Sequence, residues 1–214
     1  MTHKLFWQDP YATSHQTVVS AVEGDQIELF STIFFAFSGG QESDQGSIAG
    51  MPVIDACKEG TQIRYTLPTD HGLQVGQSVQ INIDGNRRYR LMRLHFAAEL
   101  VLELCYRELT GVTKIGAHIG QDKARIDFVW PQSLSPLLPA LAEQANRIIA
   151  ADLAIHTGFD DEANERRYWE IEGFSQVPCG GTHVRTTGEI GSIQLKRNNI
   201  GKGKERIEIR LCAP

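Results

Sequence analysis

The spacing of apolar residues changes abruptly near residue 88, and this change constrains the fold more than any other feature of the chain. Before it, short runs rich in Val, Ile, Phe and Thr are separated by Gly, Asp, Pro or Ser, which is typical of a small antiparallel sheet or barrel. After it, apolar residues recur at helical spacing from Tyr89 to Leu109 and predict a long amphipathic helix. We therefore expect two domains that meet in the Asp-Gly-Asn turn at residues 84–86.

The second part of the chain combines helical and strand patterns. A second helix is predicted over residues 136–151 with Ser135 as its N-cap, and a shorter helix from residue 160 or 161 to 168. Together with the first helix, these elements define an α+β domain whose helices pack on a largely antiparallel sheet. The strands of that sheet are expected at residues 124–130, 192–196 and 206–212.

These patterns define an α+β fold with two domains. We expect residues 1–86 to form an N-terminal antiparallel β-barrel-like domain and residues 87–214 to form the α+β domain. The chain is 41% hydrophobic and 22% charged, as in ordinary globular proteins. Because it has neither a signal-peptide pattern nor an apolar run of about 18 residues, we expect a cytoplasmic protein without a membrane span.

The charge of the chain is unevenly distributed. The net charge is −5, and residues 1–88 hold 5 basic and 10 acidic side chains, whereas residues 89–214 hold 16 of each. Residues 185–210 contain seven basic side chains and only three acidic ones. This local surplus is suited to a polyanion, although a solvated hairpin with scattered lysines has the same pattern.

Two pairs of potential metal ligands have the same spacing of four residues. His95 and Glu99 lie one turn apart on one face of the first helix. Cys179 and His183 flank a Gly-Gly-Thr segment, in which the glycines let the backbone curl so that both side chains reach one point. Either pair alone is also consistent with residues that bind no metal, as a surface pair on the helix or a simple loop. Together they predict one zinc ion per chain, because thiolate, imidazole and carboxylate groups are zinc ligands.

With these motifs the sequence resembles a known family, the free-standing alanyl-tRNA editing proteins, which are relatives of the editing domain of alanyl-tRNA synthetase. The most specific motif is Cys-Gly-Gly-Thr-His, which in the family supplies two zinc ligands, here Cys179 and His183. Having both an N-terminal barrel and an editing domain, the chain is similar to the medium-length form. The resemblance is carried by residues 9–11, 37–46, 87–95, 119–128 and 178–191.

Two positions depart from the family pattern. The helix in the family offers a second histidine where this chain has Glu99, which leaves the fourth ligand of the metal open. Ser38 replaces the first of the three glycines that usually precede the glutamine, here Gln41, and this change affects the shape of the loop.

The resemblance implies hydrolysis of the ester that joins a wrong amino acid, chiefly serine and also glycine, to tRNA(Ala). A synthetase pocket for the methyl group of alanine cannot strongly reject near-isosteres, so a second site must remove them. The resemblance makes Glu99 and Thr182 candidate catalytic residues, and Thr182 also a candidate for sensing the serine hydroxyl. With Thr182, a loop from the first domain is expected to contact the substrate through Gly39, Gly40 and Gln41, and a purely structural turn is the alternative for these three residues. The expected phosphate contacts are Lys196, Arg197, Lys202, Lys204 and Arg206.

Glu99 leaves the chemistry open. As a fourth ligand it would complete a closed site of the structural type, whereas outside the ligand set it would be placed as a general base. We favour the ligand role because Glu99 occupies the ligand position of the family. Two other functions remain open, a zinc-stabilised RNA-binding module and a metallohydrolase of a small ester. The His-Glu-x-x-His pattern of zinc proteases is absent from the sequence.

Overall fold

The computed structural model describes residues 2–201 and 203–213, which separate into two compact units. The first unit comprises residues up to Ser38 together with Glu42–Tyr89, and the second comprises Gly39–Gln41 together with the chain from Arg90 onward. The architecture is α+β, as predicted, because the two helices of the described chain accompany sheets that are mainly antiparallel. Neither of these described helices combines the length and the apolar character needed to cross a bilayer.

Seven of the described strands of the first unit form one antiparallel sheet, curled as a half-barrel. Its core includes the fully buried side chains of Ile27, Leu29, Tyr65 and Ile81. The strands of this unit are β1 His3–Lys4, β2 Ser14–Glu23, β3 Gln26–Leu29, β4 Ser31–Thr32, β5 Gly46–Ile48, β6 Met51–Pro52, β7 Asp55–Glu59, β8 Gln62–Thr66 and β9 Ser78–Ile83. The sheet has the order β6-β5-β9-β2-β3-β8-β7, and β1 and β4 form a separate parallel pair.

Helix α1 spans Gly85–Glu108 and begins four residues before the predicted Tyr89. The difference arises at Asp84, whose Oδ1 accepts a hydrogen bond from the Arg87 backbone N–H at 3.0 Å, as an N-cap residue does. The Asp-Gly-Asn segment is therefore the start of the helix rather than a turn between domains. From Leu91 to Cys105 the helix is buried on nearly every side, unlike the single apolar stripe that the spacing predicts.

A buried ion pair fixes the first turn of α1 within the first unit. Arg88 is 1% exposed and pairs with the carboxylate of Asp44, which is 4% exposed. The Arg88 guanidinium also donates to the carbonyls of Pro10 and Ile33, at 2.8 and 2.6 Å. Asp44 accepts a further hydrogen bond from the Phe35 backbone N–H at 2.7 Å. A charge pair this deeply buried is tolerated because its donors and acceptors are satisfied.

The second unit packs α1 and α2 on antiparallel sheets. Asn146 of α2 ties the helix to a strand: its side chain donates to the Ile193 carbonyl and accepts from the Ile193 N–H, both at 2.9 Å. The elements after α1 are β10 Thr113–Ile119, β11 Ala124–Val129, α2 Leu138–Ala150, β12 His156–Asp161, β13 Arg166–Ile171, β14 Ser175–Pro178, β15 Ile193–Gly201 and β16 Lys204–Leu211. One sheet has the order β10-β11-β16-β15 and the other the order β12-β13-β14.

The helix predicted from residue 160 or 161 to 168 is wrong, because this segment forms the β12–β13 hairpin. The Asn164 side chain and backbone N–H bond to Asp161 at 2.7 and 3.2 Å, and Glu165 adopts a positive φ of 55°, which bends the chain back. Alternate residues of β13, Arg167, Trp169 and Ile171, are then buried in strand fashion.

The helix predicted over residues 136–151 is confirmed in its type but begins later. Helix α2 starts at Leu138, and Leu137 occupies the N-cap position without a capping side-chain hydrogen bond. Ser135 therefore does not cap the helix, and Pro139 rather than Pro136 lies in its first turn. The three predicted strands correspond to β11, β15 and β16.

Candidate metal centre

Helix α1 and the loop that follows β14 bring three metal-ligand side chains together. The Cys179 Sγ lies 3.5 Å from His95 Nε2 and 3.3 Å from His183 Nε2. The ligand atoms of these three residues all lie within 4.8 Å of one another. Both histidines are buried, at 4% and 5% exposure, and Cys179 is half-buried. His95 of the first predicted pair and both residues of the second therefore lie together in the structure.

The donor geometry fits a single zinc ion. Zinc bonds of about 2.3 Å to sulfur and about 2.0–2.1 Å to nitrogen, in a tetrahedral arrangement, place sulfur and nitrogen ligands about 3.5 Å apart. The two sulfur–nitrogen distances of 3.5 and 3.3 Å agree with that value. One thiolate and two imidazoles also form a donor set that zinc accepts. His95, Cys179 and His183 are thus suited to hold one zinc ion.

Glu99 lies at the margin of this donor set. Its Oε2 accepts a hydrogen bond from the Trp169 indole N–H at 3.1 Å. Its Oε1 lies 3.5 Å from His95 Nε2 and 4.0 Å from Cys179 Sγ. A tetrahedral site would place a ligating oxygen about 3.4 Å from nitrogen and about 3.6 Å from sulfur. The carboxylate is therefore aimed at the site and needs only a small shift to reach it.

The electrostatic environment separates the two histidines. Burial lowers the pKa of His95, but the Cys179 sulfur and the Glu99 carboxylate outweigh burial and raise this pKa to about 10. Burial, followed by the nearby charges of His95 and Arg167, holds the pKa of His183 well below its ordinary value. His183 is therefore neutral and His95 carries a proton in the metal-free protein. Metal binding must displace that proton, because an imidazole binds a metal through a free lone pair.

Glu99 is ionised in this environment. Burial raises its pKa, but the hydrogen bond and charge of His95 and the hydrogen bond from Trp169 reverse this effect and lower the pKa. The carboxylate therefore offers an anionic oxygen to the donor set, as both a metal ligand and a general base require.

A set of hydrogen bonds among Gln41, Thr182 and His95, here called the clamp, holds the ligand loop, residues 179–183, against α1. Gln41 donates from Nε2 to the Thr182 hydroxyl at 2.8 Å and accepts from the Thr182 backbone N–H at 3.3 Å. The Thr182 carbonyl in turn accepts a hydrogen bond from His95 Nδ1 at 3.2 Å. This contact puts the proton of a neutral His95 on Nδ1 and leaves Nε2 facing Cys179, as metal binding requires.

The other histidine is held differently. His183 Nδ1 is buried and has no hydrogen-bond partner within the part of the chain that the structure describes. Its ring stacks on His95, with ring centroids 5.0 Å apart, and meets Phe96 edge-on at 5.6 Å. Ring packing, together with the 3.3 Å contact between Nε2 and Cys179 Sγ, therefore orients the His183 imidazole.

The segment Gly39–Gln41 belongs by its contacts to the second unit, although the sequence places it in the first domain. The Ile119 backbone N–H donates to the Gly40 carbonyl at 2.8 Å, and Gly40 has a positive φ of 90°. A Cβ at Gly40 would lie 2.6 Å from the Ala117 carbonyl oxygen, so this close approach to β10 requires glycine. The segment thus delivers Gln41 to the clamp, while Gly39 remains exposed.

Thr182 and Gln41 are buried to 1% exposure each, and their side chains bond to each other. The sequence assigns both to substrate contact, and Thr182 to catalysis as well. In the structure their polar groups are occupied in holding the ligand loop. Trp169, which fixes one oxygen of Glu99, is missing from the residues that the sequence singles out, because it follows the segment misassigned as a helix.

The two arginines among the predicted phosphate contacts are engaged in ion pairs. Arg197 donates to the carboxylate of the buried Glu205 at 2.5 and 2.6 Å. Arg206 donates to the two oxygens of Asp127 at 2.6 and 3.0 Å. Much of their charge is therefore neutralised within the sheet.

The lysines of the same group are placed differently. Lys196 of β15 and Lys204 of β16 are exposed. Lys202 lies outside the described residues. The exposed charge that the structure describes at this hairpin is therefore carried by the two lysines more than by the two arginines.

The fold and the donor set define an α+β protein with a candidate metal centre. Residues 167–208 match the family model described as threonyl and alanyl tRNA synthetase second additional domain. The chain is 33% identical over 216 residues to the alanyl-tRNA editing protein AlaX-M of Pyrococcus horikoshii, covering 99% of this chain and 98% of that protein. It is 31% identical over 233 residues to AlaX-M of Saccharolobus solfataricus, covering 97% and 98%.

The similarity extends to a synthetase. The alanine–tRNA ligase of Korarchaeum cryptofilum is 32% identical over 239 residues, which cover 100% of this chain but 26% of the ligase. With near-complete coverage of the free-standing proteins, the chain belongs to the family of alanyl-tRNA editing proteins.

Gly181→Ala is expected to weaken metal binding by at least about 10–100-fold, the usual cost of disturbing the support of a ligand. The added Cβ would lie 2.0 Å from His95 Cε1 and 2.8 Å from Gln41 Oε1, so it would displace the ligand and the clamp together. The measurement is metal affinity by competition with a chromophoric chelator.

Gly180→Ala is the matched control, because nothing lies within 4 Å of a Cβ at that position. It is expected to retain wild-type affinity. Equal, undiminished affinities in the two variants would contradict the assignment of this loop as the ligand-bearing element.

Proposed function

We propose that the protein hydrolyses the ester bond of tRNA(Ala) mischarged with serine, and secondarily with glycine, at a single zinc ion. The observation that carries this proposal is the convergence of His95, Cys179 and His183 on one point within an editing-family fold. A cytoplasmic location follows from this substrate. The protein would act on the tRNA after a synthetase has released it, because a pocket for alanine cannot strongly reject serine or glycine.

Three residues would hold the zinc, and Glu99 would complete the set. When bound, zinc would supply Lewis-acid polarisation of the ester carbonyl, which with four protein ligands requires either that the coordination expand or that the Glu99 carboxylate leave the ligand set. The low pKa of Glu99 keeps its carboxylate ionised, and Trp169 holds one of its oxygens at 3.1 Å while the other faces the donors. We favour Glu99 as the fourth ligand, since its 3.5 Å distance from His95 Nε2 suits a tetrahedral edge.

The residues around the donors fall into two groups in this proposal. Gln41 and Thr182 position His95 and the ligand loop, since their polar groups are buried against each other. Gly39 presents its backbone toward the substrate, because it is exposed and nothing lies within 4 Å of a Cβ built there, while Gly40, packed against Ala117, fixes the course of this substrate-facing segment. Lys196 and Lys204, joined by Lys202 and the paired arginines Arg197 and Arg206, meet phosphates of the tRNA.

A zinc-stabilised RNA-binding module is the second candidate function. The burial of both histidines, together with an anionic fourth donor, is what a closed structural site requires. This function shares the ligands and the basic residues but has no turnover. It differs from the editing enzyme in a single measurable quantity, the rate of deacylation.

We expect deacylation of Ser-tRNA(Ala) and Gly-tRNA(Ala) to exceed that of Ala-tRNA(Ala) by about 10–100-fold, and a chelator to abolish it. The measurement is the release of labelled amino acid from each tRNA, with zinc added back as the control for chelation. Equal rates on the three substrates, or no turnover, would contradict the editing function. Comparable cleavage of a free seryl ester would instead indicate a small-ester hydrolase.

Glu99→Gln is expected to lose zinc and turnover together, because the neutral amide is a poorer ligand than the carboxylate. Metal content and deacylation should be measured on the same preparation. Retained zinc with lost turnover would reassign Glu99 as a general base. Retention of both would remove it from the chemistry.

A further inference from the structure

A cavity of about 630 Å³ lies in the second unit, beside the residues that flank the β15–β16 hairpin. Arg90 and Arg93 of α1 line it, together with Ser192 and Cys212. None of its described lining residues carries a carboxylate. A cavity with two guanidinium groups and no lining acid has the chemistry of an anion site.

The two arginines point away from the metal centre. At about 100° per residue, Arg90 and Arg93 lie about 60° apart on α1 and about 140–200° around the helix from His95. They therefore occupy one face of the helix while His95 and Glu99 occupy the other. This cavity is distinct from the candidate metal centre and plays no part in the proposed chemistry there.

Arg93 is held in place by the backbone of the neighbouring loop. Its Nε donates to the Ile190 carbonyl at 2.8 Å. A Cβ at Gly191 would lie 2.8 Å from an Arg93 terminal nitrogen, so the guanidinium packs closely on this glycine, which has a positive φ of 69°. A guanidinium oriented in this way loses little freedom when it binds an anion.

Arg90 is the more accessible of the two. Its side chain is exposed, and its Nε makes a long hydrogen bond of 3.3 Å to the Gln121 carbonyl. Arg90 thus extends the positive charge of the ordered Arg93 toward solvent. Ser192 adds a hydroxyl donor to the same wall.

We propose that this arginine pocket, lined by Arg90, Arg93, Ser192 and Cys212, binds a backbone phosphate of the tRNA substrate. The inference rests on the proposed function, which brings a polyanion to the second unit. Phosphate suits the pocket because the planar guanidinium group matches its oxygens with paired hydrogen bonds. The contact positions the RNA without reading its sequence.

Arg90→Ala and Arg90→Glu test the proposal, because Arg90 is exposed and its removal leaves the Arg93 contacts intact. With the full chain and an uncharged acceptor-stem minihelix of tRNA(Ala), Arg90→Ala is expected to weaken binding roughly tenfold. The slope of log affinity against log salt should fall by about one. Arg90→Glu should weaken binding further.

Arg147→Ala is the matched control, since it removes one charge from an arginine whose side chain is 72% exposed on α2. It is expected to leave affinity and salt dependence unchanged. If both Arg90 variants bind the minihelix as this control does, the proposal is overturned. In that case deacylation by the wild-type protein would still support the editing function. If instead the wild-type protein binds the minihelix through Arg90 but does not deacylate, only the editing function is contradicted.

Cys212 offers an independent readout, because its half-buried thiol lines the pocket. The rate of Cys212 alkylation can be measured by mass spectrometry. A saturating concentration of the minihelix should slow this alkylation, and Arg90→Glu should remove the protection. Inorganic phosphate forms a second arm. Protection by phosphate alone, without protection by the minihelix, would identify a free-phosphate site and contradict the RNA assignment.

Discussion

The hydrogen bonds that join Gln41, Thr182 and His95 hold the ligand loop against α1, and the candidate metal centre depends on them. Without this clamp, Cys179 and His183 would be tied to the helix only through the packing of the His183 ring on His95 and Phe96. The clamp also selects the useful tautomer of His95, since Nδ1 donates to the Thr182 carbonyl at 3.2 Å. A short segment distant in sequence, Gly39–Gln41, thereby becomes part of the ligand-bearing unit.

Much of the fold follows from apolar periodicity, and the errors have local physical causes. The strands β11 and β16 and the type of helix α1 can be predicted because their patterns are long or regular. The β12–β13 hairpin cannot, because its polar turn residues at 162–165 resemble the surface of a short helix. Asp84 is ambiguous in the same way, since an Asp-Gly step marks either a turn or a helix N-cap.

The ligands could be predicted, but the roles of their neighbours could not. Spacing and donor chemistry single out His95, Cys179 and His183 before any coordinates are known. Gln41 is also visible in its glycine-rich motif, yet only the structure places its amide on Thr182 rather than facing solvent. The contact of Trp169 with Glu99 joins a helix to a strand far away in sequence, so no local pattern records it.

Glu99 gives this member of the family an additional negative charge at the candidate metal centre. A second imidazole would be neutral as a ligand, whereas a carboxylate adds a negative charge beside the Cys179 sulfur. The structure accommodates that charge with the proton on His95 and the indole N–H of Trp169. A metal ion bound in place of this proton would take over this role with its own positive charge, and its binding would be coupled to the ionisation of the site.

Zinc X-ray absorption spectroscopy of the purified protein tests the central claim most directly, because it reports the atoms bound to the metal. The proposed zinc centre predicts one sulfur at about 2.3 Å and two imidazole nitrogens at about 2.0–2.1 Å, with one oxygen as the fourth neighbour. A spectrum with no sulfur neighbour, or with several sulfurs, would contradict a centre built from His95, Cys179 and His183.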